Sequence, residues 1–161
     1  MKLLAIDQGS KKCGYAYLDK GEVKEAGHIK LKGKDRKKRY KELIMRLMDM
    51  ISDENIKYMA IEDVYSKRSR YNNPKVLKIM GETRGIITGV GLMYDLEILD
   101  INPSELTSYL GINTRTQNKK EMTQMYVTNL LGYKVSEDAS DAVIIGLIAY
   151  GRIKLEQNSL K

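Results

Sequence analysis

Four carboxylates occupy positions in the sequence from which they could act together. Asp7 and Glu62 each follow a short apolar run that is typical of a buried strand. Asp138 and Asp141 precede an apolar stretch and are three residues apart, so a helix there would place both on one face. Ligands tend to bind where strands end in sheets covered by helices. We therefore expect the four side chains to converge.

Such a cluster would favour metal-dependent chemistry. Neighbouring carboxylates repel and raise one another's pKa unless cations neutralise them. Oxygen ligands without His or Cys suit Mg²⁺ or Mn²⁺ and not zinc. Two such ions about 4 Å apart can hold the attacking water and the leaving oxygen of a phosphodiester in line. The pattern thus predicts metal-dependent hydrolysis of nucleic acid.

Three of the four carboxylates also have a structural explanation. Asp7 precedes a Gly-Ser turn, where Asp commonly caps local backbone N–H groups. Asp138 and Asp141 would stabilise the first turn of a helix through its dipole and its unpaired N–H groups. This explanation does not require two carboxylates on one face ahead of a buried helix, and both interpretations stay open at this point.

The charge balance favours an acidic partner. The 161 residues include 28 Lys and Arg against 21 Asp and Glu, a net charge of +7. Nucleic acid is the first candidate and an anionic membrane surface the second. The single Cys13 excludes a disulfide within the chain and favours the reducing cytoplasm. The length suits one domain over residues 1–161, and no apolar run approaches the roughly 20 residues of a membrane span.

The apolar periodicity predicts an α/β chain. The first three strands are joined by short turns and should be antiparallel neighbours. The Lys- and Arg-rich stretch 30–41 is interpreted as a solvated loop and helix face. A glycine series from Gly81 to Gly91, mostly at four-residue spacing, predicts either a close helix contact or a kink. Strands are predicted at 3–6, 13–18, 23–31, 57–62 and 96–101, and helices at 40–51, 75–94, 103–110, 119–131 and 142–153.

The segment after Glu62 combines cations with aromatic residues. Tyr65 lies close to Lys67, Arg68 and Arg70, as a surface that stacks bases and binds phosphates would require. The alternative is a polar loop that leads into the next helix, which Asn73-Pro74 would begin. Its position directly after a strand that ends in carboxylates favours the binding role.

Four short motifs resemble those of the RuvC-type Holliday junction resolvases, in the same order and over about residues 1–154. The resemblance implies a ribonuclease H-like fold, with three antiparallel strands followed by two parallel ones and helices on both faces. It also implies a homodimer, without a membrane partner, that nicks two strands of a four-way DNA junction symmetrically and leaves 5′-phosphate ends. The motifs are AIDQGS at 5–10, IEDVY at 61–65, GETRG at 81–85 and DASDA at 138–142.

The resemblance also implies roles for individual residues. The four carboxylates would hold Mg²⁺, or Mn²⁺ in its place, with two ions per site. Lys119 would stabilise the transition-state charge near the scissile phosphate. Tyr65 would stack near the junction centre, where the family usually has Phe. The residues expected to bind DNA are Tyr65, Lys67, Arg68, Arg70, Arg84, Lys119 and Lys120.

Two departures from the family pattern concern Gln8 and Thr107. Gln8 replaces the usual Pro and is predicted to affect only the turn. Thr107 stands where the family has a lysine, which puts phosphate binding at that point in question. A phage-encoded member that works without a branch-migration motor, on a wider set of branched DNAs, is a further interpretation.

Other functions remain alternatives. A nuclease on the same fold could act on RNA. A junction-binding protein could cleave weakly or not at all, although the presence of all four carboxylates argues against it. An ATP-binding, kinase-like fold would need further phosphate-binding glycine turns between strands.

Overall fold

The computed structural model describes residues 1–63, 73–112 and 118–159. Five strands form one mixed sheet in the order β3-β2-β1-β4-β5. The pairs β1–β2 and β2–β3 are antiparallel, whereas β1–β4 and β4–β5 are parallel. The predicted sheet of three antiparallel and two parallel strands is confirmed. The strands are β1 (Lys2–Asp7), β2 (Lys12–Asp19), β3 (Glu22–Lys30), β4 (Tyr58–Glu62) and β5 (Glu97–Ile101).

Alternation along β1 supplies both faces of the sheet with apolar side chains. Leu3 and Ala5 belong to one buried cluster, and Leu4 and Ile6 belong to the other. All four are fully buried, as expected for a central strand covered on both faces. Because successive side chains point to opposite faces, Asp7 follows Leu3 and Ala5 onto the first of these faces.

Helices cover both faces of the sheet. The face of Leu3 and Ala5 packs against the last helix, and the face of Leu4 and Ile6 packs against the first two. The last helix begins with the predicted acidic first turn and continues beyond the predicted end at Ile153, as far as Ser159. The helices are α1 (Arg36–Glu54), α2 (Pro74–Met93), α3 (Pro103–Tyr109), α4 (Lys119–Leu131) and α5 (Glu137–Ser159).

The glycine series of α2 has mixed surroundings. Gly91 lies against the side chains of Ile98 and Met59, so the predicted close contact holds there. Gly85 and Gly89 face open space, and α2 runs unbroken from Pro74 to Met93. Across the described ranges, no helix is both long enough and apolar enough to cross a membrane.

Candidate metal centre

Asp7 and Glu62 end two neighbouring parallel strands. The pairing of β1 with β4 runs up to Ile6 opposite Ile61, one residue before each carboxylate. Ala60 belongs to the same buried cluster as Ala5, so alternation directs Glu62 to the face that Asp7 also occupies. Two of the predicted carboxylates therefore lie side by side at one sheet edge, on the face that α5 covers.

Gly14 brings the start of α5 to the same edge. It pairs with Asp7 in the β1–β2 register. A Cβ at Gly14 would overlap the backbone carbonyl of Asp138, so only glycine lets the first turn of α5 pack directly on β2. This contact places Asp138 and, one turn further on, Asp141 opposite Asp7.

The electrostatics of Asp7 reflect the nearness of these groups. Burial raises the pKa of Asp7 well above its ordinary value, and the charges of Asp141, Glu62 and Asp138 raise it further, in that order. Lys119, at the start of α4, lowers it. All four predicted carboxylates and the predicted lysine therefore act on one region.

The pKa of Asp141 is raised for similar reasons. Burial is the largest cause that raises its pKa, and Lys119 opposes that shift, whereas Glu137 and Asp138 add to it. Two partly buried carboxylates with raised pKa values need compensating positive charge if both are to ionise near neutral pH. Lys119 supplies only part of it.

The donor set fits a hard divalent cation, although the side chains do not gather around one point. Within residues 1–63, 73–112 and 118–159, no three Asp, Glu, His or Cys side chains are close enough to share an ion. Asp138 forms an ion pair with Lys12 of β2. The carboxylates would hold Mg²⁺ or Mn²⁺ through oxygen atoms alone, as these ions prefer. The ammonium group of Lys12 provides positive charge beside the Asp138 carboxylate.

Gln8 reaches beyond its turn, so the prediction that it affects only the turn is wrong. Its side chain is 7% exposed, and its Nε2 donates to the backbone carbonyl of Glu62 at 3.1 Å. Arg84 donates to the same carbonyl through Nη1 at 2.9 Å and also pairs with Asp100. Within the described part of the chain, Gln8 Oε1 is the buried side-chain atom without a hydrogen-bond partner. Gln8 thus ties the end of β1 to the end of β4.

We expect Gln8→Met to raise the Mg²⁺ concentration needed for cleavage and to change the stability of the fold little. The substitution removes one hydrogen bond, worth about 1 kcal/mol, but also removes the unpaired buried oxygen, so the two effects largely cancel. Losing a group that holds a ligand in place typically costs about 10- to 100-fold. Cleavage of a nucleic-acid substrate measured against Mg²⁺ concentration should therefore require more Mg²⁺, while the melting temperature changes little.

Gln124→Met is the matched control for this prediction. Its amide Nε2 also donates to a backbone carbonyl, that of Val135 at 3.4 Å, between α4 and the start of α5. The control should leave the Mg²⁺ dependence unchanged. Equal Mg²⁺ dependence in Gln8→Met and the wild type would show that the Glu62 carbonyl contact does not position the carboxylate.

The other predicted DNA-binding residues divide into three groups. Lys120 is exposed, pairs with Glu137 at 2.5 Å and, like Lys119, lowers the pKa of Asp141. The Arg84 side chain is only 16% exposed and is engaged by Glu62 and Asp100, so its DNA-binding role stays a prediction without support from this geometry. A third group, Tyr65, Lys67, Arg68 and Arg70, lies outside the described residues.

Three features of the site were not predicted from the sequence: Lys12, Gly14 and the hydrogen bond from Gln8 to the Glu62 carbonyl. A signal for Gly14 was present, since only residues 8–11 separate β1 from β2, so the residue that pairs with Asp7 must lie near the start of β2. A glycine inside a strand opposite a carboxylate marks a close backbone approach. The contact between Lys12 and Asp138 depends on where α5 docks, which no local pattern specifies.

Comparisons with known proteins agree on one family. The family model described as crossover junction endodeoxyribonuclease RuvC matches residues 3–149. A curated relative of that name from Campylobacter lari is 27% identical, over 98% of this chain and all of the relative. Another, from Chlorobium phaeobacteroides, is 29% identical over 95% of this chain and 83% of the relative.

Solved structures share the fold. Thermus thermophilus RuvC in complex with a Holliday junction substrate has a TM-score of 0.75 at 16% identity, covering 95% of this chain and 96% of that one. The yeast mitochondrial Holliday junction resolvase has a TM-score of 0.65 at 16% identity, covering 97% and 81%. The expected ribonuclease H-like fold is confirmed.

Proposed function

Because this chain belongs to the family of the crossover junction endodeoxyribonuclease RuvC, we propose that it resolves Holliday junctions as a metal-dependent endonuclease. The observation that supports this most strongly is the surroundings of Asp7, a partly buried carboxylate whose pKa is raised by burial and then by the charges of Asp141, Glu62 and Asp138. An uncompensated group of this kind is costly to bury. Bound cations would compensate the negative charge of these carboxylates and could act on a phosphodiester.

The chain's own residues would divide the work as follows. Asp7, Glu62, Asp138 and Asp141 would hold Mg²⁺, or Mn²⁺ in its place, with two ions per site. The chemistry supplied by the bound ions is activation of the attacking water and neutralisation of charge on the scissile phosphate. Lys119 adds positive charge on the side of α4, where it stabilises charge that develops on the phosphate oxygens.

A junction has two strands to cut, and the described residues contain one such carboxylate centre. Symmetric cleavage then requires two copies of the chain, so the proposal includes a homodimer with one centre on each of two opposite strands. Paired hydrolysis would leave 5′-phosphate ends. We propose further that no branch-migration motor is needed for cleavage.

The deciding experiment is cleavage of a synthetic four-way DNA junction with Mg²⁺, beside a linear duplex and a Y-shaped fork. Paired nicks on the junction alone are the expected result. Equal cutting of junction and fork would indicate a general debranching nuclease. Tight binding without cleavage would overturn the proposal in favour of an architectural protein, and preferential cutting of an RNA competitor would favour an RNA nuclease.

Glu62→Gln should separate binding from cleavage. The amide cannot replace an ionised metal ligand, so cleavage should fall by about 10²-fold or more. The contacts of Gln8 and Arg84 go to the Glu62 backbone carbonyl and are retained, so the fold and the junction affinity should persist. Gel-shift affinity and single-turnover cleavage of the same junction test this.

Glu97→Gln is the control for Glu62→Gln. Glu97 is exposed and begins β5, at the sheet edge opposite the carboxylates. The Glu97→Gln protein should bind and cleave the junction like the wild type. A Glu62→Gln protein that loses affinity and cleavage to the same extent would show that Glu62 is structural.

A further inference from the structure

Arg39 is a buried cation that the metal centre does not use. It lies in the first turn of α1 and is 7% exposed. Its Nε donates to the carbonyl of Ser10 at 3.1 Å, and its Nη1 donates to the carbonyls of Gly33 and Lys34 at 2.9 and 3.0 Å. Burying a guanidinium is costly unless its donors are satisfied. Here they are used to join two loops.

These two loops flank the carboxylate edge of the sheet. One is the turn 8–11, which directly follows Asp7, and the other is the connection 31–35 between β3 and α1. A backbone hydrogen bond of 2.9 Å from Leu31 to Lys11 joins them a second time. Arg39 therefore fixes the connection 31–35 against the turn that leaves the metal centre.

Both loops carry exposed lysines, which we call the basic rim: Lys11, Lys32 and Lys34. Among the described residues, no carboxylate forms an ion pair with any of the three. Other cations near the same edge are paired, as Lys12 is with Asp138 and Arg36 is with Glu82. The rim therefore presents uncompensated charge.

The acids closest in sequence to the rim are occupied by backbone groups. Glu42 accepts the Lys32 backbone N–H at 3.1 Å, and Asp35 caps α1 by accepting the Lys37 N–H at 2.8 Å. These contacts hold the shape of the connection 31–35 and leave its ammonium groups for an outside anion. Held cations beside a phosphodiester-cleaving centre suit the regularly spaced phosphates of a DNA duplex.

We propose that the basic rim binds the phosphate backbone of the duplex arm next to the strand that is cut. This inference rests on the proposed function and extends it to a surface outside the carboxylate centre. The stretch 30–41, interpreted from sequence as a solvated loop and helix face, then holds a DNA contact. Base identity should play no part in it, because contacts between lysine ammonium groups and phosphates carry no sequence information.

The test compares two triple variants that remove the same charge. One changes Lys11, Lys32 and Lys34 to Gln. The control changes Lys20, Lys57 and Lys154 to Gln, which are exposed at the opposite end of the sheet and of α5. Both are made in the cleavage-deficient Glu62→Gln background, and junction affinity is measured at several salt concentrations.

The rim triple should weaken junction binding. It should also reduce the slope of log affinity against log salt by about 1 for each phosphate that the variant no longer neutralises. The control triple should leave the slope unchanged. Equal slopes in both triple variants and in the Glu62→Gln parent would overturn the proposed role of the basic rim while leaving the proposed function intact. Failure of the wild type to bind or cut junctions would instead overturn the proposed function.

Discussion

Asp7→Asn should abolish cleavage and at the same time stabilise the metal-free protein at neutral pH. The loss of an ionised ligand at the centre of four carboxylates should lower the cleavage rate by about 10²-fold or more. The gain in stability follows because wild-type Asp7 is partly buried and faces like charges, and both effects raise its pKa. Asn fills the same space without a charge to bury.

The sign of the pH effect follows from the pKa shift of Asp7. In the unfolded chain this carboxyl loses its proton near its ordinary value of 3.8, and in the folded protein only at a higher pH. Between these two values the unfolded state binds fewer protons, so the stability of the wild type falls as the pH rises through this window. Asp7→Asn lacks this loss, and its advantage should grow from pH 4 towards neutrality.

Thermal unfolding in EDTA at a series of pH values measures this advantage, and added Mg²⁺ then reverses it. Ions that bind only the folded state raise the melting temperature of the wild type, whereas the variant, short of one ligand, should respond weakly. Asp49→Asn, on the exposed face of α1, is the control and should show neither effect. A melting-temperature difference that is constant with pH, or an equal response to Mg²⁺, would contradict the role of Asp7.

The part of the centre formed by strand ends could be predicted from the sequence. Asp7 and Glu62 each follow a recognisable apolar run, and the pairing of β1 with β4 brings such ends together without further information. The positions of Asp138 and Asp141 could not be derived in this way. They depend on how far along the sheet α5 docks, which is set by close contacts of Gly14 and Gly146 with distant elements.

The Lys- and Arg-rich stretch 30–41 shows a second limit of prediction from the sequence. Its lysines are exposed, as expected, but Arg39 is buried with Leu43, Leu47 and Ile51, at four-residue spacing on the inner face of α1. That spacing was visible in the sequence and marks Arg39 as inward-facing. Its partners were not visible, because the carbonyls of Ser10, Gly33 and Lys34 come together only in the folded chain.

Gly14→Ala should reduce both stability and cleavage, although Gly14 carries no functional group. The added methyl would overlap the backbone carbonyl of Asp138, and backbone cannot move aside as a flexible side chain can. Overpacking of this kind costs about 1–3 kcal/mol. The first turn of α5 must shift away from β2, and a displacement of about 1 Å at a catalytic group can cost on the order of 10²-fold in rate.

Gly151→Ala adds the same methyl group at a glycine of α5 itself and provides the comparison. Nothing lies within 4 Å of the position where its Cβ would stand, so alanine should stabilise α5 by about 0.5–1 kcal/mol and leave cleavage unchanged. Denaturant unfolding and single-turnover cleavage of a four-way junction measure both variants. A Gly14→Ala protein that is destabilised but cleaves at the wild-type rate would show that Asp138 can move with α5 without loss. Reaction geometry would then depend on Asp7 and Glu62 at the strand ends, and the first turn of α5 would serve mainly to hold the fold.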